Sequence, residues 1–353
     1  MSAEDGEEAD GPRATLDLVG QDRALRQVGE MVASRRLPSA VLFTGPRGVG
    51  KATLAYRLAR HLLAGEPPGA NLELAPDHPT VARVRAGSEP DLLVLERASG
   101  PKAPKDISVD QVRGLVTRLR MTASGGGWRI GIVDSLDATN LNSANALLKI
   151  VEEPPPRTLL ILIAHSLGAV LPTLRSRCRR VALTPLEPDD VATLLGRHLG
   201  ALSAEHRAAL AALSGGSPGR AMTLETVLGL PAAVEVLGAA LDTIVGGRLP
   251  PDQFFDRLLT GDAAGRMPVL SELLGLLLTE LARTAAFGGP RHTTSLPGID
   301  AAAAAQAAGR RYAAGWAEVA GTVAELFAAG EAANLDRKQT LISVFTRLRS
   351  AAT

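Results

Sequence analysis

The chain has 353 residues, of which 46% are hydrophobic, and its 38 basic and 37 acidic side chains give a formal net charge of +1. This length exceeds one compact domain and predicts two or three, while the near-zero charge argues neither for nor against a nucleic-acid partner. A single cysteine, Cys178, excludes an intrachain disulfide and any multi-cysteine zinc site. The six histidines do not cluster and are interpreted as structural or exposed.

The N-terminal segment 1–14 is acidic and is predicted to be a disordered leader. It lacks the basic start and apolar stretch of a signal peptide. The Leu-rich run 268–287 contains Glu272, Glu280 and Arg283, so it is predicted to be a buried or partner-facing helix, not a membrane span. We therefore expect a cytoplasmic protein with no membrane partner.

Strand and helix signals alternate over the first 185 residues. The strand runs are unbroken and apolar, which is typical of a parallel sheet covered on both faces, so a doubly wound α/β domain is predicted. The Pro- and Gly-rich stretch 66–90 is predicted to be irregular. Strands are predicted at 39–45, 91–97, 124–134, 158–164 and 179–183, and helices at 51–65, 108–121 and 140–153.

Strand signals almost vanish after residue 184. The predicted domains are an α/β nucleotide-binding domain at 15–184, a helical lid at 185–245 and an all-helical C-terminal domain at 246–353, with helix breaks near 262–267, 288–298 and 329–334. Apolar stripes at 268–287 and 313–328 suit packing against neighbouring subunits, but they equally suit an ordinary intrachain core. The sequence leaves these two alternatives open.

A phosphate-binding loop is predicted between the first strand and the helix that follows it. Glycines let backbone N–H groups turn toward phosphates, and a lysine reaches the outer phosphates. The hydroxyl that normally follows the lysine and ligates Mg²⁺ is replaced by Ala52, and Thr53 comes one residue late. The alternative is a purely structural glycine turn. The candidate nucleotide-binding residues here are Gly45, Pro46, Gly48, Val49, Gly50, Lys51, Ala52 and Thr53.

The run "RIGIVDSLD" supplies an apolar strand that ends in an acid, Asp134, which could hold Mg²⁺ through water. Ser135 follows it, and a hydroxyl cannot act as a base near pH 7. Asp137 is interpreted as the cap of the next helix. Ala52 and Ser135 together predict a site that could accommodate ATP or ADP with Mg²⁺ but is poorly equipped to hydrolyse ATP.

The third candidate element is "LPTLRSRCRR" at 171–180, in which Arg177 lies between Ser176 and Cys178. A guanidinium is always charged and bridges phosphate oxygens. Presented to the γ-phosphate of a neighbouring subunit, Arg177 would be an arginine finger. The alternative is a solvated basic turn.

Taken together, these motifs resemble the clamp-loader subunits of bacterial DNA polymerase III, within the AAA+ superfamily of P-loop ATPases. The segments "ISVDQVR" (107–113), "NSANALLKIVEEPP" (142–155) and "LPTLRSRCR" (171–179) carry the resemblance. "GGSPGRA" (215–221) resembles the arginine element of the lid, which would put Arg220 near a bound nucleotide. "ANLDRK" (333–338) resembles the start of the last helix of the collar, the C-terminal oligomerisation domain.

The resemblance implies a subunit of a ring that opens a sliding clamp and closes it around primed DNA, with tau/gamma and delta subunits as partners. It also implies a rigid stator whose Arg177 completes the ATP site of an adjacent subunit. Many chains of this family carry a four-cysteine zinc module in the stretch that corresponds to 65–90; this chain has no cysteine there, so no zinc and no other metal ligand set are predicted.

Two other functions were weighed. An active AAA+ motor ATPase of the tau/gamma type is disfavoured by Ala52 and Ser135, and a small-molecule kinase would need neither the "SRC" turn nor the long helical tail. Direct reading of DNA sequence is not supported, because no basic helix carries base-reading side chains.

Overall fold

The computed structural model describes residues 11–34, 36–67, 71–97, 107–123, 126–287 and 296–351. The chain divides into two compact units, residues 1–190 and 191–353. Residues 1–10 of the predicted leader lie outside the described residues. Residues 11–14, also assigned to the leader, form a turn, and the Arg60 guanidinium donates hydrogen bonds to the carbonyls of Arg13 and Thr15 beside it.

The first unit is built on a five-stranded parallel sheet in the order β2-β3-β4-β1-β5. Every residue of the two central strands β1 and β4 is buried, which explains why these runs are apolar throughout. All five strands fall on predicted runs. The strands are β1 Ala40–Thr44, β2 Leu92–Leu95, β3 Arg129–Val133, β4 Thr158–Ala164 and β5 Arg179–Ala182.

Helices pack around this sheet, and the three helices predicted at 51–65, 108–121 and 140–153 are confirmed. Three further helices were not predicted: α1, α3 and the short α6. Of these, α3 lies inside the stretch 66–90 that was predicted to be irregular. The helices of the first unit are α1 Asp22–Ala33, α2 Lys51–Ala64, α3 Pro79–Arg85, α4 Val109–Leu119, α5 Leu141–Glu152, α6 Pro172–Arg175 and α7 Pro188–His198, which runs into the second unit.

The prediction for α3 was wrong because proline was treated only as a breaker. Pro79 occupies the first turn of the helix, where its fixed φ is favourable and its missing N–H costs nothing. The side chain of His78 caps the same helix by accepting a hydrogen bond from the N–H of Thr80 at 3.1 Å.

The second unit is helical throughout the residues that the structure describes. Its longest helices, α12 and α14, pack against each other, and their apolar stripes form an intrachain core that includes Leu274, Leu278, Trp316 and Val323. The alternative left open by the sequence is thereby decided for these buried side chains. The helices are α8 Ala204–Leu213, α9 Pro218–Val227, α10 Leu230–Gly246, α11 Asp252–Leu258, α12 Ala263–Phe287, α13 Ala301–Ala308, α14 Ala313–Ala332 and α15 Arg337–Ser350.

The predicted helix breaks in this unit are found in part. The break expected near 262–267 lies a few residues earlier, at 259–262 between α11 and α12, because α12 begins at Ala263 and continues through Pro268. The break at 288–298 falls largely on residues outside the described ranges, and the one at 329–334 matches the end of α14 at Ala332.

The contact division at Asp190 lies close to the predicted end of the α/β domain at 184. The division of the helical half into a lid and a collar stays a prediction. Helix α10, assigned to the lid, contacts α12, α13 and α15 of the predicted collar as well as α8 and α9.

Over the part of the chain that the structure describes, no single helix is long and apolar enough to span a membrane. Only the pair α9 and α10, which is bent by 93°, reaches that length and apolarity when its two helices are taken together.

Candidate functional site

The predicted phosphate loop lies between β1 and α2, at the carboxyl edge of the sheet. Gly45, Gly48 and Gly50 adopt φ values of 145°, 74° and 99°, which favour glycine. At Gly45 the need is also steric, because a Cβ there would lie 2.3 Å from the carbonyl oxygen of Leu183. These glycines therefore allow a turn that residues with a Cβ would resist.

The loop is fastened to the segment that follows β5 by one buried amide. Gln21 Nε2 donates to the carbonyl oxygens of Val49, at 3.1 Å, and Thr184, at 2.7 Å. Its Oε1 accepts from the N–H of Thr184 at 3.4 Å. No local sequence signal points to Gln21, since Val49 and Thr184 are 28 and 163 residues away along the chain.

Lys51 occupies the first position of α2 and is only 3% exposed. Its Nζ donates to the carbonyl oxygens of Gly45 at 2.7 Å and Pro46 at 2.5 Å. Burial lowers the pKa of Lys51 to about 8, against the opposing influence of Asp134 and Asp137. The ammonium thus lies in the loop where an outer phosphate would be bound.

The residues at this edge fit a phosphate group. Among the described residues, no side chain caps the N-terminus of α2, whose first N–H groups lack intrahelical acceptors and whose dipole favours an anion. The fit to a catalytic metal is poorer, because Ala52 offers no oxygen directly after the lysine. The half-buried Thr53 provides the nearest hydroxyl along the helix.

Asp134 follows β3, and its backbone N–H donates to the Leu95 carbonyl at 2.8 Å. Burial raises the pKa of the Asp134 carboxyl, and nearby Glu96 raises it further, while the Ser135 N–H and Lys51 oppose the change. Ser135 is buried and left-handed, with φ 63°, so its backbone makes a tight turn directly after the acid. The position directly after Asp134 therefore carries a hydroxyl and not a carboxylate that could activate water.

His165 is a site residue that the sequence interpretation missed. It follows β4, and its Nε2 lies 3.4 Å from Ser135 Oγ. Burial lowers the pKa of His165 to about 4, and Lys51 lowers it as well. The ring is therefore neutral near pH 7 and too weakly basic for efficient proton abstraction. Its position at the end of a buried strand was the only available signal.

Asp137 was predicted to cap the next helix, and this prediction was wrong. Asn140 caps α5, since its side chain accepts from the Ser143 N–H at 2.9 Å. Asp137 Oδ1 instead accepts from the backbone N–H of His165 at 3.1 Å. It orients the His165 backbone rather than the ring, so Ser135, His165 and Asp137 do not form a nucleophile, base and orienting acid.

Arg177 lies at the opposite edge of the sheet. β5 begins two residues later at Arg179, which is paired with Val41, three residues before the end of β1. Because a strand advances about 3.3 Å per residue, the Arg177 backbone lies roughly 10 Å or more from the edge where the phosphate loop begins. The side chain is 44% exposed and its Nε lies 2.8 Å from Glu152 Oε1.

Arg220 lies in the second unit, near the start of α9. Its Nε pairs with Glu272 Oε2 of α12 at 2.9 Å. The predicted contact of Arg220 with nucleotide stays a prediction.

Cys178 packs against the core of the first unit, and burial raises the pKa of its thiol to about 11. Within the described ranges, no group of three or more His, Cys, Asp or Glu side chains is arranged to hold a metal ion.

A parallel sheet with a lysine-bearing glycine loop at its carboxyl edge, followed by a helical C-terminal half, defines an AAA+ P-loop protein, and the predicted fold class is confirmed. Residues 20–187 match the family model described as "DNA polymerase III, delta subunit". The chain is 42% identical over 181 residues to the DNA polymerase III subunit delta' of Pseudomonas aeruginosa, covering 51% of this chain and 53% of that protein. The resemblance to a delta-prime subunit is therefore confirmed for the N-terminal half.

Two further relatives match the same half. The delta' subunit of Escherichia coli is 34% identical over 191 residues, covering 52% of this chain and 54% of that protein. The gamma/tau subunit of Mycobacterium tuberculosis is 34% identical over 194 residues, covering 53% of this chain and 31% of that protein. The chain thus spans about half the length of the delta' subunits that it matches.

Proposed function

We propose that this chain acts as the delta-prime-type stator of a DNA polymerase III clamp loader. In this role it hydrolyses ATP weakly or not at all and supplies Arg177 to the ATP site of an adjacent tau/gamma subunit. Tau/gamma and delta subunits are its direct partners, and the sliding clamp and primed DNA are reached through the complex. A protein with this role would be located in the cytoplasm.

One observation carries the proposal: Arg177 and the phosphate loop lie at opposite edges of the same sheet. An arginine side chain is too short to span that separation, and Arg177 is already turned to Glu152. If Arg177 contacts a phosphate, the phosphate belongs to another subunit. An exposed guanidinium far from the phosphate loop of its own chain is compatible with a trans arginine finger.

The chain's own site supports the same proposal, in which this chain binds phosphate and the neighbouring subunit hydrolyses ATP. Lys51 and the glycine loop favour phosphate binding, whereas Ala52 removes a metal ligand and Ser135 stands where a base is needed. His165, with a pKa of about 4, does not replace that base. Nucleotide would accordingly serve as a structural ligand here. Lys51 would bind the phosphates of ATP or ADP, and Asp134 would hold Mg²⁺ through water.

The test is clamp- and DNA-stimulated ATP hydrolysis by the reconstituted complex containing Arg177→Ala. We expect a loss of orders of magnitude at the one site that Arg177 serves, seen as a partial loss for a ring with several sites. Arg175→Ala is the matched control, because Arg175 is also exposed and lies two residues away. An unchanged rate in a fully assembled Arg177→Ala complex would contradict the proposal.

The second candidate is an active motor of the tau/gamma type, which is favoured by the 34% identity to a gamma/tau subunit over the same residues. Hydrolysis by the purified chain that is abolished by Lys51→Ala would establish it.

A further inference from the structure

We propose that Glu152 is a positioning residue for Arg177, holding the guanidinium ready for the phosphate of the neighbouring subunit. This inference rests on the proposed function and adds to it a second residue, which acts only through Arg177. The observation that supports it is the ion pair between Glu152, at the end of α5, and Arg177, in the turn before β5.

The geometry of the pair leaves part of the guanidinium available. Arg177 Nε lies 2.8 Å from Glu152 Oε1 as an ion pair, and Nη1 donates a hydrogen bond to the Thr173 carbonyl at 3.1 Å. Ser176 Oγ lies at 3.5 Å from Nη1. No acceptor for Nη2 is found within the described ranges. Two nitrogens are therefore held by the chain itself while the third keeps donors for an incoming oxygen anion.

The backbone on the Glu152 side is fixed. Glu152 is the last residue of α5, the Val151 carbonyl accepts from Ser39 Oγ at 3.0 Å, and the Glu153 N–H closes the helix on the Lys149 carbonyl at 3.2 Å. Pro154 then prevents the helix from continuing. The carboxylate thus extends from an anchored helix end.

The Arg177 side is fixed as well. Leu174 is fully buried, and its carbonyl accepts from the N–H groups of Arg177 at 3.1 Å and Cys178 at 3.2 Å. Cys178 packs into the hydrophobic core of the unit. Since both backbones are anchored, what remains variable is the long side chain of Arg177, and the Glu152 carboxylate restricts it.

The size of the effect follows from the exposure of the pair. Glu152 and Arg177 are 47% and 44% exposed, so solvent screens their attraction. Exposed pairs contribute a few tenths to 1 kcal/mol, which corresponds to about a 2- to 5-fold change in rate. Because the finger acts on transition-state charge, the change belongs in kcat and not in KM.

The experiment measures kcat and KM for ATP hydrolysis by the reconstituted complex with four variants: Glu152→Ala, Glu152→Gln, Arg177→Ala and the double variant Glu152→Ala/Arg177→Ala. Glu153→Gln is the matched control, because Glu153 is the adjacent exposed glutamate at the same helix end. Gel filtration verifies that each complex is fully assembled.

We expect Glu152→Ala to lower kcat at the affected site about 2- to 5-fold with KM unchanged. Glu152→Gln should retain part of the rate, because the amide oxygen keeps a partial negative charge close to the guanidinium. Glu153→Gln should have no effect. In the Arg177→Ala background, Glu152→Ala should cost nothing further.

The outcomes separate the two proposals. A fall with Arg177→Ala but none with Glu152→Ala overturns the role of Glu152 and leaves the proposed function standing. A rise with Glu152→Ala overturns it as well, since the pair would then restrain the finger. An Arg177→Ala complex with the wild-type rate overturns both proposals together.

Discussion

The close approach between Gly45 and Leu183 makes a sharp prediction about stability. In Gly45→Ala, the new Cβ would lie 2.3 Å from a backbone carbonyl oxygen, and the residue would have to adopt φ 145°. Backbone in this region costs about 1–3 kcal/mol for a residue with a Cβ, and forced repacking costs about 1–3 kcal/mol. We therefore expect a loss of roughly 2–6 kcal/mol from the first unit, a large share of a typical domain stability.

Gly114→Ala is the matched control, because it makes the same chemical change in the same unit with the opposite expected sign. Gly114 lies within α4, and a Cβ there meets no atom within 4 Å. Since alanine is a better helix former, we expect a gain of about 1 kcal/mol.

Hydrogen exchange measured by mass spectrometry reads the two units separately. Peptides that contain β4 report the first unit, and peptides that contain α14 serve as an internal reference from the second. The steric reasoning is refuted if Gly45→Ala leaves the protection of β4 unchanged, or if Gly114→Ala lowers it by as much.

Three further outcomes follow from the contacts described above. Asn140→Ala should destabilise the first unit by about 1 kcal/mol through loss of the α5 cap; equal protection of α5 amides in the variant and the wild-type chain would argue against that cap. Arg60→Met should cost about 2–4 kcal/mol, since two backbone carbonyls lose a charged donor, and limited proteolysis near residues 11–15 should accelerate; an unchanged cleavage rate would be inconsistent with this contact. The pKa of Lys51 is lowered from 10.5 to about 8, so the unfolded chain binds more protons between those values, and the wild-type chain should gain stability relative to Lys51→Met as pH rises from about 8 to 10.5; a difference in unfolding free energy that stays constant over that window would show that the lysine titrates normally.

The sheet was predictable because each of its strands has a signal in its own local sequence. Runs such as 158–164 are apolar at every position, and burial of the whole of β4 is the physical reason. The phosphate loop and the turn that bears Arg177 were predictable because their chemistry is carried by adjacent residues. What the sequence could not give was the edge of the sheet on which each lies, which depends on strand order and register.

The residues that were missed act through contacts between distant positions. Ser135 and His165 are 30 residues apart, Glu152 and Arg177 are 25 apart, and Gln21 joins Thr184 over 163 residues. The cap of α5 was predicted wrongly for a different reason. Asp137 and Asn140 are both good cap residues three positions apart, and only the direction of the chain after the turn decides which of them caps the helix. The stripes of α12 and α14 were ambiguous because an apolar helix face has the same appearance whether its partner is in the same chain or in another.

The segment that connects β5 to α7 has consequences for how the protein can be altered. Surface connections ordinarily tolerate insertions, but residues 183–187 include the buried Leu183 and Leu186. The Leu183 carbonyl lies close to Gly45 and the Thr184 carbonyl accepts from Gln21, so a residue inserted between them would shift the Thr184 carbonyl by about 3 Å and break its hydrogen bond to Gln21. The number of residues in this connection is therefore constrained as strongly as the identity of a buried core residue. A tag or reporter domain belongs instead at the turn of Gly126 and Gly127, where a new Cβ would meet no atom within 4 Å.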